Sequence, residues 1–215
     1  MVRIIVILIV FSSFLLNIYF LGDKMKTQAK SYYTVTKVID GDSFFVDTGA
    51  EVRILGINAP EIGRCGSQEA KELLSKLIFN KKVKVSPTAS DSFHRLVADV
   101  YLDNQSVNNQ MVASGWAAYD SSDSQNAKEM QTSGENARKN KIGIFSEKCS
   151  QTIPPSPNCK IKGNVNDTDG NKLYYPPNCG TRYDNITVDL FRGDQWFCSE
   201  KEAQEAGFAK TKVCP

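Results

Sequence analysis

The fold of this chain is decided by residues 39–61, IDGDSFFVDTGAEVRILGINAPE. Residues 44–46 have the composition of a short strand, and Gly49 suits the hairpin turn that follows because glycine accepts a positive φ. Apolar side chains then recur at near-alternate positions, which predicts a second strand. That strand ends before Pro60, because proline removes a ladder donor and forces the preceding residue to be extended.

Four polar side chains of this stretch are predicted to gather at one end of a small sheet. They are two carboxylates, an amide and a guanidinium: Asp42, Glu61, Asn58 and Arg53. Oxygen ligands suit Ca²⁺, a carboxylate can take a proton from water, and an arginine offers a charged fork to phosphate oxygens. The group therefore indicates phosphodiester hydrolysis. The D-G-D turn taken alone is also compatible with an ordinary surface hairpin, since Asp and Gly are common turn residues.

Three separated motifs, in order and in register, resemble the staphylococcal nuclease (thermonuclease) family. They are VIDGDS, RILGINAPE and DSFHRLVADVYLD. The resemblance runs from about residue 33 to residue 147 and includes VNNQMVASGWA and IGIF. It implies an α+β fold, a five-stranded OB-fold barrel with three helices. It also implies Ca²⁺-dependent endonucleolysis of DNA and/or RNA.

The resemblance also implies roles for single residues. Its catalytic set consists of a general base and two phosphate-binding arginines: Glu61, Arg53 and Arg95. Its Ca²⁺ ligands include the carboxylate of Asp42 and the backbone carbonyl of Ala59. The chain departs from the family at Asn58, where the usual residue is a second metal-binding aspartate. We keep Asn58 as a predicted ligand through its amide oxygen.

The charge balance bears on the competing functions. Residues 31–148 carry 14 Lys and Arg against 15 Asp and Glu, so they lack the basic footprint of a tight non-specific nucleic-acid binder. A non-catalytic OB-fold module, binding nucleic acid or protein at the cell envelope, stays open as an alternative. A second alternative is an envelope adhesion protein whose active part is residues 159–215. If the nuclease prediction holds, we expect activity to survive removal of that part.

The first segment predicts export. Residues 1–22 contain the uncharged run IIVILIVFSSFLLNIYFL, which is long enough for a transmembrane anchor and longer than most signal cores. No small-x-small cleavage site follows it, so an anchor is favoured over a cleaved signal segment. Residues 23–31 then form a polar tether. We expect an extracytoplasmic protein, attached to the cell membrane or secreted.

Six cysteines support this location, because an even number behind an export segment favours disulfides. Cys65 and Cys149 flank the predicted nuclease-like domain, residues 32–148, and are predicted to pair. The other four allow three pairings. Residues 149–158 form a Pro-rich linker, and residues 159–215 are predicted as a small module with a β-hairpin, a further strand in TRYDNITVDLF and a helix. The expected partners are DNA and/or RNA and the membrane. We expect a monomer without a small-molecule cofactor.

Overall fold

The strands of the first part of the chain close into a barrel in a computed structural model that describes residues 31–166 and 169–214. Eight strands lie there: β1 (Tyr32–Val38), β2 (Ser43–Val46), β3 (Glu51–Ile54), β4 (Ile57–Asn58), β5 (Lys82–Ser90), β6 (Leu96–Leu102), β7 (Gln105–Ser106) and β8 (Ala118–Tyr119). Five of them follow the order β3-β2-β1-β5-β6, and parallel pairing of β3 with β6 closes the ring. The closed five-stranded barrel confirms the predicted fold.

The β2–β3 hairpin forms where the sequence predicts it. The amide of Val46 donates to the carbonyl of Ala50 over 3.0 Å, and Gly49 adopts a φ of 82° in the turn. Phe44, Val52 and Ile54 are buried in the barrel core. In β3 these buried residues alternate with more exposed ones. The alternation fixes the register of the hairpin, because a slip by one residue would turn every side chain to the opposite face.

Three helices accompany the barrel, as predicted: α1 (Ser67–Ile78), α2 (Val107–Ala113) and α3 (Ala127–Lys139). The hydroxyl of Ser106 caps α2 by accepting from the amide of Asn109 over 3.1 Å. α1 buries an apolar stripe, and the mostly polar α3 docks through Met130 and Ala137. Packing of these faces, more than helix propensity, stabilises such short helices.

A buried amide ties α2 to the barrel. Asn108 is fully buried; its Nδ2 donates to the carbonyl of Leu55 over 2.9 Å, and its Oδ1 accepts from the amide of Val100 over 2.9 Å. The same Nδ2 also contacts the carboxylate of Asp99. Buried polar groups need such partners, so this side chain fixes the end of β3, the strand that carries Arg53.

The C-terminal part contains β9 (Ser150–Gln151), β10 (Ile161–Val165), β11 (Lys172–Tyr175), α4 (Thr181–Asp184), β12 (Val188–Asp189), β13 (Gln195–Phe197), α5 (Glu200–Glu205) and β14 (Ala209–Lys210). β10 and β11 form the hairpin, and β9 pairs with β12. The predicted linker therefore begins with a paired strand, and residues from Tyr32 onward form one compact unit. The module boundary at residue 159 stays a prediction.

The strand predicted in TRYDNITVDLF is mostly wrong, because its first residues form the helical turn α4 and only β12 is extended. Lys162 contacts the end of this turn. Its Nζ, in a side chain that is almost fully buried, donates to the carbonyls of Tyr183 and Ile186 over 2.8 and 2.6 Å. A lysine that donates to carbonyls at a helix C-terminus stabilises that turn. Lys162 lies on β10, 21 residues before Tyr183, so the local sequence of the turn does not reveal this contact.

Three disulfides join all six cysteines: Cys65–Cys149, Cys159–Cys198 and Cys179–Cys214. The first is the predicted pair, and the other two are one of the three pairings that the sequence left open.

The predicted hydrophobic helix and nearly all of the tether lie outside the described residues. Among the helices that are described, none is both long and apolar enough to cross a membrane.

Candidate active site

The carboxylate of Asp42 joins the β1–β2 turn to the segment after β4. It is buried, and its Oδ2 accepts from the backbone amide of Ala59 over 2.8 Å. Its Oδ1 accepts from the hydroxyl of Ser43 over 3.0 Å and pairs with the guanidinium of Arg53. Buried charges are normally paired and hydrogen-bonded in this way. Asp42 therefore contacts Ala59 through the backbone amide, whereas the predicted ligand atom of Ala59 is its carbonyl oxygen.

Arg53 lies between two predicted metal ligands. It stands opposite Ser43 in the β2–β3 ladder, and its Nη2 donates to Oδ1 of Asn58 over 3.3 Å while the same guanidinium pairs with Asp42. The side chain keeps 21% of its surface exposed. The guanidinium of Arg53 is therefore held by two partners and remains partly exposed.

Arg95 reaches the same corner from the start of β6. Its Nε donates to Oδ2 of Asp91 over 2.7 Å, and its Nη1 lies 3.5 Å from the hydroxyl of Ser43. Glu51 lies 4.0 Å away. Burial acts to raise the pKa of Asp91, but the hydrogen bonds from Arg95 and from the amide of Phe93 outweigh it and hold that pKa below its usual value. Ser43 thus connects the two predicted phosphate-binding arginines.

Glu61 is exposed at the start of the loop between β4 and α1. Its backbone carbonyl accepts from the amide of Arg64 over 2.9 Å. The residue lines a cavity of about 40 Å³ together with Asn58, Ala59, Arg64 and Arg192. Arg53 lines a neighbouring open cavity of about 450 Å³ with Asp91. Asn58 therefore lines the cavity of the predicted base and also accepts from Arg53.

Two carboxylates lie close together in the D-G-D turn. Oδ1 of Asp40 accepts from the backbone amide of Asp42 over 3.0 Å. Burial, followed by the negative charge of Asp42, raises the pKa of Asp40 to about 6. Neighbouring carboxylates disfavour each other's ionised form, and Arg53 already pairs with the carboxylate of Asp42.

The donor set fits a hard cation. Asp42, Asn58 and the carbonyl of Ala59 offer only oxygen, which is the preference of Ca²⁺. These ligands carry little negative charge, because Asn58 is neutral and Arg53 already contacts the side chains of Asp42 and Asn58. Within residues 31–166 and 169–214, no cluster of three or more His, Cys, Asp or Glu is placed to hold a metal ion. These residues could hold Ca²⁺ only as a weak site.

Sequence reasoning missed three residues of this region. Asp91 orients Arg95, Asp40 adds a second carboxylate, and Arg64 anchors the loop that follows Glu61. Asp91 had a sequence signal, since an Asp four residues before an Arg at a turn can cap that turn and pair with the arginine. Arg64 had none, because its partner lies 128 residues later in the chain.

Comparison with known proteins assigns the class of this domain. Residues 51–147 match the family model described as staphylococcal nuclease homologue, and the closed barrel with its helices fits that family's OB fold. The matches support a nuclease, that is, a phosphodiester hydrolase.

Individual relatives point the same way. An uncharacterized endonuclease of Haemophilus influenzae is 33% identical over 95 residues, which is 42% of this chain and 53% of that protein. A probable staphylococcal-like nuclease of Oryza sativa subsp. japonica is 40% identical over 73 residues, 32% of this chain and 22% of its own length. The Shigella flexneri micrococcal nuclease is 28% identical over 130 residues, 54% of this chain and 75% of that protein. This chain thus spans about half or less of the first two relatives' lengths.

Proposed function

We propose that this protein is a Ca²⁺-dependent endonuclease that hydrolyses phosphodiester bonds of DNA and/or RNA. The strongest support is that both arginines contact one hydrogen-bonded pair of residues. Arg53 pairs with the carboxylate of Asp42, and Arg95 contacts the hydroxyl of Ser43, which donates to Asp42. The segment that carries Glu61 adjoins this corner through Asn58 and Ala59. Two oriented arginines can stabilise the charge that develops on a phosphate, and a nearby carboxylate can accept a proton from water.

Glu61 is the general base in this mechanism. Its carboxylate takes a proton from a water molecule as the water oxygen bonds to phosphorus in line with the leaving oxygen. The bond from phosphorus to the leaving oxygen breaks, and that oxygen takes a proton from solvent. The exposed position of Glu61 lets water reach it.

The two arginines stabilise the charge that builds on the phosphate oxygens. Arg53 is oriented by Asp42 and Asn58, and Arg95 is oriented by Asp91. Donors fixed before the reaction cost no reorganisation when the charge develops, which is why they lower the barrier. A guanidinium also binds two phosphate oxygens at once through its planar fork.

Asp42, Asn58 and the carbonyl of Ala59 would hold Ca²⁺. The bound ion would supply positive charge beside the phosphate. Because Asn58 is neutral, and because ligand charge tunes Ca²⁺ affinity, we propose a high Ca²⁺ requirement. Such a requirement suits a calcium-rich exterior.

We also propose that the protein works outside the cytoplasm, attached to the membrane through residues 1–22 or secreted. The uncharged run in that segment and the three disulfides motivate this location, since disulfides persist mainly in oxidising compartments. Cell fractionation with a protease-accessibility assay tests it. Finding the chain wholly in the cytosolic fraction would overturn it.

Digestion assays test the proposed activity. The full chain is incubated with supercoiled plasmid and with RNA, in Ca²⁺ or in chelator. We expect nicking and linearisation in Ca²⁺ only. Equal cleavage in chelator contradicts the metal requirement, whereas tight binding without cleavage at any Ca²⁺ concentration supports the alternative of a binding module.

A further inference from the structure

We propose that the C-terminal module, residues 159–215, is part of the catalytic apparatus because it holds the loop that carries Glu61. The element that does this is the turn of residues 189–194, and the residue it holds is Arg64. This inference rests on the proposed role of Glu61 and extends it. Arg64 is a positioning residue, since it acts on the reaction through the loop and not on the substrate.

The direct contact is short. Nη1 of Arg64 donates to the backbone carbonyl of Arg192 over 2.7 Å. At Gly193, with a φ of 96°, a Cβ atom would lie 3.3 Å from Cζ of Arg64. A glycine there lets the guanidinium lie against the backbone of the turn. A side chain at that position would crowd Arg64 and would strain a left-handed backbone.

The loop is closed at both ends by its own hydrogen bonds. The amide of Arg64 donates to the carbonyl of Glu61 over 2.9 Å, and the amide of Ser67 donates to the carbonyl of Arg64 over 3.1 Å. Because Arg64 lies at the centre of these bonds, fixing its side chain fixes the turn that begins at Glu61.

The turn that holds Arg64 is itself anchored. The amide of Leu190 donates to the carbonyl of Cys149 over 2.8 Å, and Cys149 is bonded to Cys65, the neighbour of Arg64. The strand pair β9–β12 runs alongside. The turn of residues 189–194 is therefore hydrogen-bonded both to Arg64 and to Cys149, and the disulfide ties Cys149 to the loop of Glu61.

Aromatic packing completes the anchor. Phe191 is buried, and its ring meets the ring of Phe145 edge to face with centroids 5.8 Å apart. Both rings belong to a buried cluster with Cys149 and Ile144. Two large side chains from the two parts of the chain share one apolar core, so residues 189–194 cannot move independently of the first domain.

This arrangement changes the expectation for removal of the module. The sequence alone suggested that activity would survive without residues 159–215. The structure assigns part of the active-site wall to those residues, since Arg192 lines the same cavity as Glu61. Removal would expose Phe145 and free Arg64, so we now expect activity to fall.

Substitutions in the full chain test the proposal. Arg64→Met keeps the apolar stem and loses the donor, Arg64→Lys keeps a donor, and Arg182→Met is the control on an exposed arginine of α4. Cleavage of a fluorogenic oligonucleotide gives kcat and KM. We expect Arg64→Met to lower kcat by about 10- to 100-fold, the cost of a small misplacement of a catalytic group. KM should change little, Arg64→Lys should recover part of the loss, and the control should match wild type.

A double variant separates positioning from general stabilisation. If Arg64 acts through Glu61, Arg64→Met should cost little further activity in a Glu61→Gln background, because coupled residues are not additive. An undiminished cost there, or wild-type kcat in Arg64→Met, overturns the proposal. A rise in KM with weaker salt dependence also overturns it, because Arg64 would then bind phosphate directly.

Amide hydrogen exchange tests the same contact without using activity. The amides of Arg64 and Ser67 should exchange faster in Arg64→Met than in wild type, with the rest of the barrel unchanged. Unchanged exchange overturns the positioning role. If wild type cleaves nothing while Arg64→Met exchanges faster, the result supports the Arg64 contact and contradicts the proposed nuclease function. The positioning role and the nuclease function can therefore be rejected independently.

Discussion

Asp91 holds Arg95 in place: Oδ2 of Asp91 accepts from Nε of Arg95 over 2.7 Å, and Oδ1 accepts from the backbone amide of the same arginine over 3.0 Å. One carboxylate thus fixes both the turn and the direction of the guanidinium. A phosphate-binding arginine that is fixed before the substrate arrives loses less entropy on binding.

The first prediction concerns this pair. Asp91→Ala frees the guanidinium of Arg95, and we expect kcat to fall by about 10-fold or more because an oriented donor is lost. Steady-state cleavage measures it. Glu147→Gln is the matched control, since Glu147 and Lys141 form an exposed carboxylate–ammonium pair at 2.7 Å. Equal kcat in the two variants would show that Asp91 does not orient Arg95 for the reaction.

The arginines themselves give the second prediction. Arg53→Lys and Arg95→Lys keep the charge but lose the planar fork. We expect each to lower kcat by about 100- to 1000-fold, the usual cost of losing one transition-state donor, with an unchanged thermal midpoint. Arg182→Lys serves as the control. Near wild-type turnover in either active-site variant would remove that arginine from the mechanism.

The disulfide between Cys65 and Cys149 gives the third prediction. It links residues 84 apart in sequence, so in the simple chain-entropy model its loss should lower the free energy of unfolding by about 4–5 kcal/mol. Chemical denaturation of a double Cys→Ser variant measures this value. Peptide mapping without reduction tests the bond itself, and a fragment joining Cys65 to a cysteine beyond residue 158 would contradict it.

Asn58 gives the fourth prediction. Asn58→Asp adds a negative charge to the proposed Ca²⁺ ligands and should lower the Ca²⁺ concentration for half-maximal cleavage several-fold. The new carboxylate would also pair with Arg53, which already donates to Asn58 over 3.3 Å. Titration of Ca²⁺ against cleavage rate compares the two proteins. An identical Ca²⁺ dependence would mean that this position does not contribute to metal binding.

Much of the barrel could be predicted because its signals are local. Gly49 marks a turn, and the apolar alternation around Val52 sets the face that is buried. The strand predicted to continue to Asn58 is interrupted instead: β3 ends at Ile54, and the separate strand β4 pairs with β8. The family resemblance added the closure of the sheet, which depends on the pairing of β3 with β6 across more than 40 residues. Local patterns carry no information about such a pairing.

Two long-range contacts of the C-terminal part could not be predicted from the sequence. Lys162 donates to the carbonyls of Tyr183 and Ile186 beside a helical turn, although the residues of that turn have strand-like composition. Arg64 finds its partner in the carbonyl of Arg192. In both cases the partner is a backbone atom, which has no signature in the amino-acid sequence.

Glu61 is the residue proposed to activate water in this protein. The most direct measurement is the single-turnover cleavage rate of supercoiled plasmid, at saturating Ca²⁺, for wild type and Glu61→Gln. The amide is nearly isosteric with the carboxylate but cannot accept the proton, so we predict a loss of about 100- to 10,000-fold with unchanged plasmid binding. A Glu61→Gln protein that cleaves at the wild-type rate would contradict the account.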